Sequence, residues 1–543
     1  MKRLHRCLLV LLLLVCITGN AMDIYVTSFG NDSNAGTKDN PLATINAALR
    51  KARELRRLND PSVAGGIHII ISGTFTLDEP IFIRPEDSGT ADSPTIIEAA
   101  SNGKAAINGG IQFRNWELAP SNTPGLSAKA KGKVWVTDVP MTGGGPTEFR
   151  QFWSNYHKAT RARERNGDSM NRIIRWDKTK AACWIPTPKG ISPNTIEGME
   201  MLIHQWWEIA ILRVQRMEVH GDSSLLYFHE PESRVQNEHP WPAPWMSKET
   251  GNSAFYLSNH ISFLDEPGEW WLDIAGKKLY YWPAKGEEHR FPSAYTGLQY
   301  APVLETLVKM EGTADRPVSY VFFKNILFQY TGWLRPSKQG HVPHQAGMYM
   351  TDAYKLKVPG TADKKTLENQ AWIGRPTAAI QVRYAHHTGF ESCNFTRLAS
   401  TALDYEKGTQ DNKIIGNSFW DIGGSAILAG VFSDESTETH IPYNPSDEKE
   451  FCRGIIIRNN LITNVANEDW GCVGIGAGYV RDMIIENNEL WNLPYTGISV
   501  GWGWTPTANV MKNNRISKNK IHHYGRMMYD VAAIYTLSAQ PGT

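Results

Sequence analysis

The sequence predicts an all-β chain wound as a right-handed parallel β-helix (a solenoid), with an inserted β-rich subdomain and an N-terminal capping helix. An internal repeat carries the prediction. From about residue 318 onward, five segments share one order: aliphatic run, polar residue, Asn, any residue, apolar residue. Segments 414–419, 456–462, 484–490 and 516–521 place Asn417, Asn460, Asn488 and Asn519 in the shared column, and 390–395 has Cys393 there. Spacings of 24, 43, 28 and 31 residues between columns describe a coil of about two dozen residues with variable turns. Each segment is followed by a second short apolar run, at 402–403, 426–428, 474–476, 497–500 and 533–536. The alternation has period two, which makes the runs strands. Stacked coils would let the Asn side chains hydrogen-bond up their column at every turn. An antiparallel sandwich is disfavoured, because hairpins do not return one residue type to the same phase turn after turn.

Residues 22–114 read as the first coils and their cap. Short β-runs at 24–26, 67–71, 74–77, 81–83 and 95–98 are divided by turns. Between the first two lie a turn-rich loop, Gly30 to Gly36, and the stretch 42–58, whose Ile45, Ala48, Leu49 and Ala52 follow a helical period. A helix here would cover the open end of the solenoid, where backbone and core are otherwise exposed. Residues 115–300 are dense in Trp, Tyr, Pro and Arg without a repeat and read as the β-rich insertion; 301–543 form the main coil stack. Ahead of all this, Lys2, Arg3 and Arg6 precede an apolar run from Cys7 to Ile17 and small residues ending at Ala21, the pattern of a secretory signal over 1–21. The run is too short to span a bilayer. The expected location is therefore secreted or periplasmic.

Composition narrows the function classes. Lys plus Arg (56) and Asp plus Glu (55) nearly cancel, so no global field draws the chain to nucleic acid or an anionic membrane. Trp (19) outnumbers Phe (18), and because a buried indole N–H needs a partner, some of these rings are expected to line a wet groove. Cys183, Cys393, Cys452 and Cys472 lack metal-ligand spacing; after export up to two disulfides are open to them, and most are expected to be buried thiols or to form one structural bridge, with Cys452 and Cys472 the first pair to consider. His386, His387, His522 and His523 lack ligand register as well, and neither a GxSxG nor a phosphate-cradling motif is present, so no metal or cofactor is expected.

Successive coils lie ~4.8 Å apart. Acids in matching columns therefore meet at the ~5–5.5 Å of a retaining glycosidase, and offset columns at the ~6.5–9.5 Å of an inverting one. The candidates near the second strands are Asp404, Glu406, Glu468, Asp469 and Asp530. Asp404 and Glu406 flank a strand and could meet a substrate. Glu468 and Asp469 precede a Trp-Gly turn at Trp470, and Asp530 sits just before the run ending in Tyr535 and Thr536. We read Asp530, Glu468 and Asp469 as catalytic candidates and Asp404, Glu406, Trp470, Trp502, Trp504 and Tyr535 as substrate-binding candidates. Trp502 and Trp504 stand among glycines at a strand end, suited to stacking on the C–H face of a pyranose, although one of them could close the core. Asp421 shares a turn column with Asn464, Asn492 and His523 and reads as structural.

These residues, with Gly30 to Gly36, 149–163, 204–208, 264–283, 495–504 and 533–542, resemble the parallel β-helix enzymes of glycoside hydrolase family 141, whose activities include α-L-fucosidase and xylanase. The resemblance implies a glycoside hydrolase acting on pectic or xylan-type plant cell-wall polysaccharide, with Asp530 as one of two catalytic aspartates. Where that family carries Asp-Gly-Gly-Ala-Ile-Tyr, this chain has Val531, Ala532 and Ala533 between the acid and Ile534. The resemblance puts the second aspartate on a following coil, beyond Thr543, so the expectation is a solenoid truncated at its C-terminal end, with weak or no hydrolysis unless another acid substitutes. A polysaccharide lyase on the same fold and a non-enzymatic carbohydrate-binding β-helix are the competing readings. The partner expected in each case is an oligosaccharide or polysaccharide; oligomeric state, linkage and stereochemical outcome stay open.

Overall fold

The computed structural model describes residues 21–543 apart from 102, 143, 240–241, 288–297, 353–370, 434–440 and 505. The signal expected at 1–21 thus lies, but for Ala21, outside the described residues. No helix among the described residues is long and apolar enough to cross a membrane.

The period-two runs form three ladders of parallel strands. One ladder runs from Ile67–Thr76 through Thr95–Ala99, Val321–Lys324, Gly389–Glu391, Lys413–Ile415, Ile456–Arg458 and Ile484–Glu486 to Arg515–Ser517. A second begins on the far half of that same long strand and continues through Ala105–Asn108, Leu327–Thr331, Asn394–Leu398, Ser418–Ile422, Leu461–Thr463 and Glu489–Trp491 to Lys520–His522. The third runs from Ile81–Ile83 through Val308–Glu311, Ala378–Arg383, Thr401–Tyr405, Ile427–Ala429, Ile475–Ala477 and Ile498–Val500 to Ile534–Thr536. From Gly389 onward, every circuit of the chain visits the three ladders in this order. The long strand serves two ladders because it bends at Gly73, whose φ of +102° is open to glycine and whose Cβ would lie 2.4 Å from Ser28 Oγ.

In-phase pairing puts like side chains above one another. In the first ladder Phe390, Ile414, Ile457, Ile485 and Ile516 occupy one column. Phe323 stacks on Phe390 at 5.0 Å, Phe328 on Phe395 at 5.0 Å and Phe395 on Phe419 at 4.8 Å, all close to parallel, so the core is a set of stacked columns. The Asn column forms a continuous chain, buried as far as Asn488: Asn460 Oδ1 accepts from the backbone N–H and side-chain Nδ2 of Asn417, Asn488 Oδ1 accepts the same pair from Asn460, and Asn519 Oδ1 accepts the same pair from Asn488. Each turn after this column needs a left-handed residue, met at Arg397, Asp421, Asn464, Asn492 and His523, with φ between 50° and 57°.

The helix Ile45–Arg57 is N-capped by Thr44, whose side chain accepts from the Ala47 N–H, and its Ile45, Ala48, Leu49 and Ala52 face the core. It packs against the first strands, Met22–Thr27 and Ile67–Thr76.

The chain leaves the ladders at Gly110–Gln112 and rejoins them after Gln299–Pro302, two segments that pair antiparallel. Between them lie mostly antiparallel sheets, the largest built around the hairpin Glu200–Gln205 and Glu208–His220. Phe113, Trp116, Phe149, Phe152, Trp270 and Tyr281 make a second, separate core there. The high Trp content is therefore absorbed partly by packing: Trp153, Trp270 and Trp502 are fully buried. Of the two states open to the cysteines, buried thiols or a bridge, the structure has the first, and Cys452 and Cys472 are not joined. All four are buried free thiols; the Cys452 Sγ–H donates to the Glu406 carbonyl, while Cys472 sits beside Asp469, and burial with that carboxylate pushes its thiol pKa well up.

Candidate active site

The insertion docks on the turns between the second and third ladders through polar groups sequestered from water. Trp153 Nε1 donates to Asp421 Oδ2 at 2.9 Å, and Asn467 Nδ2 holds the other oxygen at 2.9 Å. Asp421 is thus an anchor for the insertion. The tip of the Glu200–Gln205/Glu208–His220 hairpin reaches furthest. Trp206 O accepts from the Tyr529 N–H at 2.9 Å, a His204 Nε2 contact meets Met527 O at 2.9 Å, and Trp207 Nε1 donates to His344 O at 3.3 Å. A two-residue turn forces Trp206 to φ +65°, a region bulky residues seldom occupy, so the surrounding contacts must hold it there.

Asp530 lies one residue beyond the Tyr529 clamp, exposed and itself left-handed at φ +54°. Two phenols sense its charge. Tyr495, 2% exposed, takes a hydrogen bond from Gln345 Nε2 at 3.4 Å, and its pKa is raised by burial first and then by the charges of Glu208 and Asp530. Tyr535 is raised by burial and Asp530, and hydrogen-bonds the Trp504 indole. Two groups of aromatic rings are linked to the acid. Tyr529, its chain neighbour, packs with His204, Trp206 and Trp245, with centroids 5.4–6.4 Å apart. Trp504, the partner of Tyr535, meets His344 at 5.4 Å, and His344 meets the buried Trp502 at 5.6 Å. An accessible carboxylate close enough to two phenols to raise their pKa can transfer a proton to a glycosidic oxygen or attack an anomeric carbon.

Of the other sequence candidates, only Trp504 joins Asp530 and Tyr535. Of the indole pair, Trp504 is half-buried beside Tyr535, whereas Trp502, 1% exposed, closes the core. Asp404 shares an outward column of the third ladder with Tyr535, through Leu428, Gly476 and Ser499. Four rungs at ~4.8 Å put it about 19 Å away. It is 1% exposed and paired with both Nε and Nη2 of Arg375, so it differs from the exposed acid expected from its place beside a strand. Glu406 lines a different cleft of about 520 Å³ with Gln381, Arg335 and Tyr349. Glu468 pairs with Lys158 Nζ at 2.6 Å. Trp470 lies half-buried against Tyr256, at 6.4 Å. Sequence reasoning passed over Tyr495, Gln345, His344, Trp245 and Tyr529. The signal available for Tyr495 was its place at the head of the 495–504 motif.

Asp469 is 3% exposed and forms, with Glu208, a carboxylate pair sealed between hairpin and coil. Its Oδ2 lies 3.3 Å from His341 Nε2. Gly471 is required here, since a Cβ would come within 1.8 Å of Glu208 Oε2. Burial, and then the charge of Asp469, push the Glu208 carboxyl well above its ordinary 4.5. Unfolded Glu208 loses its proton near 4.5 while the folded group keeps it, so stability falls as pH rises above 4.5, by up to about 1.4 kcal/mol per unit until the folded group ionises. Glu208→Gln should flatten that decline, with thermal midpoints that match the parent near pH 4.5 and exceed it at pH 8; identical slopes from pH 5 to 8 would contradict the shared burial.

Comparison with known proteins agrees with this architecture. The model described as the GH141 insertion domain matches residues 132–284. A solved structure named "Glycoside hydrolase" is 46% identical, covers 96% of this chain and 86% of its own, and superposes with a TM-score of 0.88. A XylC complex with xylose (13% identity, 96% of this chain and 65% of that one, TM-score 0.44) and a GH136 lacto-N-biosidase from Eubacterium ramulus (11%, 95% and 68%, 0.31) are distant likenesses. A search of curated proteins returned no match. By its insertion domain and its likeness to a glycoside hydrolase along nearly its whole length, the chain belongs to glycoside hydrolase family 141.

Proposed function

We propose that the chain is a secreted or periplasmic enzyme of right-handed parallel β-helix form, capped by its N-terminal helix, that hydrolyses O-glycosidic bonds in pectic or xylan-type plant cell-wall polysaccharide with α-L-fucosidase-like specificity. Asp530 serves as one of its paired carboxylates. The observation that carries this reading is an exposed carboxylate, Asp530, whose charge is felt by two phenols, Tyr495 and Tyr535, in a family 141 chain. Three parallel ladders visited in a constant order support the β-helix reading. Tyr535 and Trp504 would hold the reacting residue against the acid.

The test is a product assay on aryl α-L-fucosides, aryl β-xylosides, xylan and pectic oligosaccharides. Hydrolysis releases new reducing ends without ultraviolet absorbance of an unsaturated sugar. Absorbance with loss of activity in chelator would replace the reading with a lyase, and gel retardation on polysaccharide without any product would replace it with a binding protein.

A further inference from the structure

A cleft of about 390 Å³ opens where the insertion meets the turns before the third ladder, lined among others by Arg163, Tyr256, Asn467, Trp470, Asn492 and Arg526. We propose that it is a second sugar subsite, selective for a carboxylate-bearing residue such as a uronate, of the chain whose scissile bond lies at Asp530; this rests on the hydrolase reading above.

The lining has the chemistry of such a ligand. Trp470 and Tyr256 offer half-buried rings for an apolar sugar face. The Asn467 amide is held by Asp421 and Lys158, which leaves the Asn492 Nδ2 as the amide donor for a hydroxyl. Two guanidinium groups converge on the cleft against one carboxylate, Asp168, leaving a net positive lining. Among the described residues neither guanidinium forms an ion pair: Arg163 donates to Gly167 O and lies 5.1 Å over the Tyr256 ring, its Nε buried without a partner, and Arg526 donates only to Asn492 Oδ1. A planar guanidinium without a carboxylate of its own is matched by a bidentate carboxylate ligand.

Position links the cleft to the acid. Leu493 and Pro494 line it, and the next residue is Tyr495; Met527 lines it, and Asp530 follows three residues on. Three residues span at most ~11 Å. Two adjacent turns therefore lead from the cleft to the acid, at a separation that one oligosaccharide can bridge.

The experiment titrates tri-galacturonate and the neutral xylotriose into the full chain by calorimetry, repeated with Arg526→Ala and Trp470→Ala. Arg526 is exposed, so its removal leaves the fold intact. The expected result is at least tenfold tighter binding of tri-galacturonate, a preference that shrinks with added salt and disappears in Arg526→Ala, with both ligands weakened in Trp470→Ala. Equal affinities in the parent, or a preference that survives Arg526→Ala, overturns the subsite. If aryl glycosides are hydrolysed without any uronate preference, the subsite alone fails; if the preference is present without hydrolysis of any glycoside, the hydrolase reading fails instead.

Discussion

Asp530→Asn is expected to lower kcat on an aryl glycoside by about 10²–10⁴-fold, the range associated with loss of a positioned acid or base, with KM little changed. Asn is the informative replacement because it tolerates the left-handed backbone that Asp530 adopts at φ +54° and keeps the side-chain volume. What it removes is the charge and the transferable proton. The neighbouring phenols provide an independent readout: with the Asp530 charge gone, Tyr535 should titrate at lower pH, visible in the ultraviolet difference spectrum of the folded protein. Full activity in Asp530→Asn, with circular dichroism matching the parent, would remove this residue from the chemistry. A fall in activity with no change in the tyrosine titration would place the acid away from Tyr535.

The repeat was legible because stacking imposes the same demand at every circuit. Asn460 must satisfy the backbone of Asn417 and be satisfied by Asn488, so the column tolerates few alternatives and stands out in the sequence. The turn column of Asp421, Asn464, Asn492 and His523 was legible for a related reason, since each residue there takes a positive φ. The surroundings of Asp530 were not. Trp206 and Tyr529 meet through a hydrogen bond between segments more than three hundred residues apart, and no local pattern reports a contact closed by an inserted domain. Asp404 shows the same limit from the other side. It sits at a strand position that reads as available, and only the fold brings Arg375 onto it. Trp composition pointed to a wet groove, whereas the insertion's own core takes Trp116 and Trp270.

Asn460→Ala is expected to destabilise the chain by about 3–5 kcal/mol, near the upper end for one substitution. Asn460 is 2% exposed and serves both neighbouring rungs. Its Oδ1 accepts from the Asn417 N–H and Nδ2, and its own Nδ2 donates to Ile414 O and Asn488 Oδ1. Truncation takes this partner from the Asn417 N–H and from Ile414 O in a dry interior, where an unmet group costs about 1–3 kcal/mol less whatever relaxation recovers, while Asn488 Oδ1 keeps the Asn460 N–H and Asn417 Nδ2 keeps Phe390 O. Asn460→Asp separates hydrogen bonding from packing, because the carboxylate has the same shape yet cannot donate to Ile414 O or Asn488 Oδ1. Asn519→Ala provides the internal comparison: it occupies the same column, is half-buried, and should cost clearly less. Urea midpoints followed by near-ultraviolet circular dichroism should fall in the order Asn519→Ala above both Asn460 variants. If Asn460→Asp matched the parent while Asn460→Ala did not, side-chain volume, and not the hydrogen-bonded column, would be what holds the rungs in register.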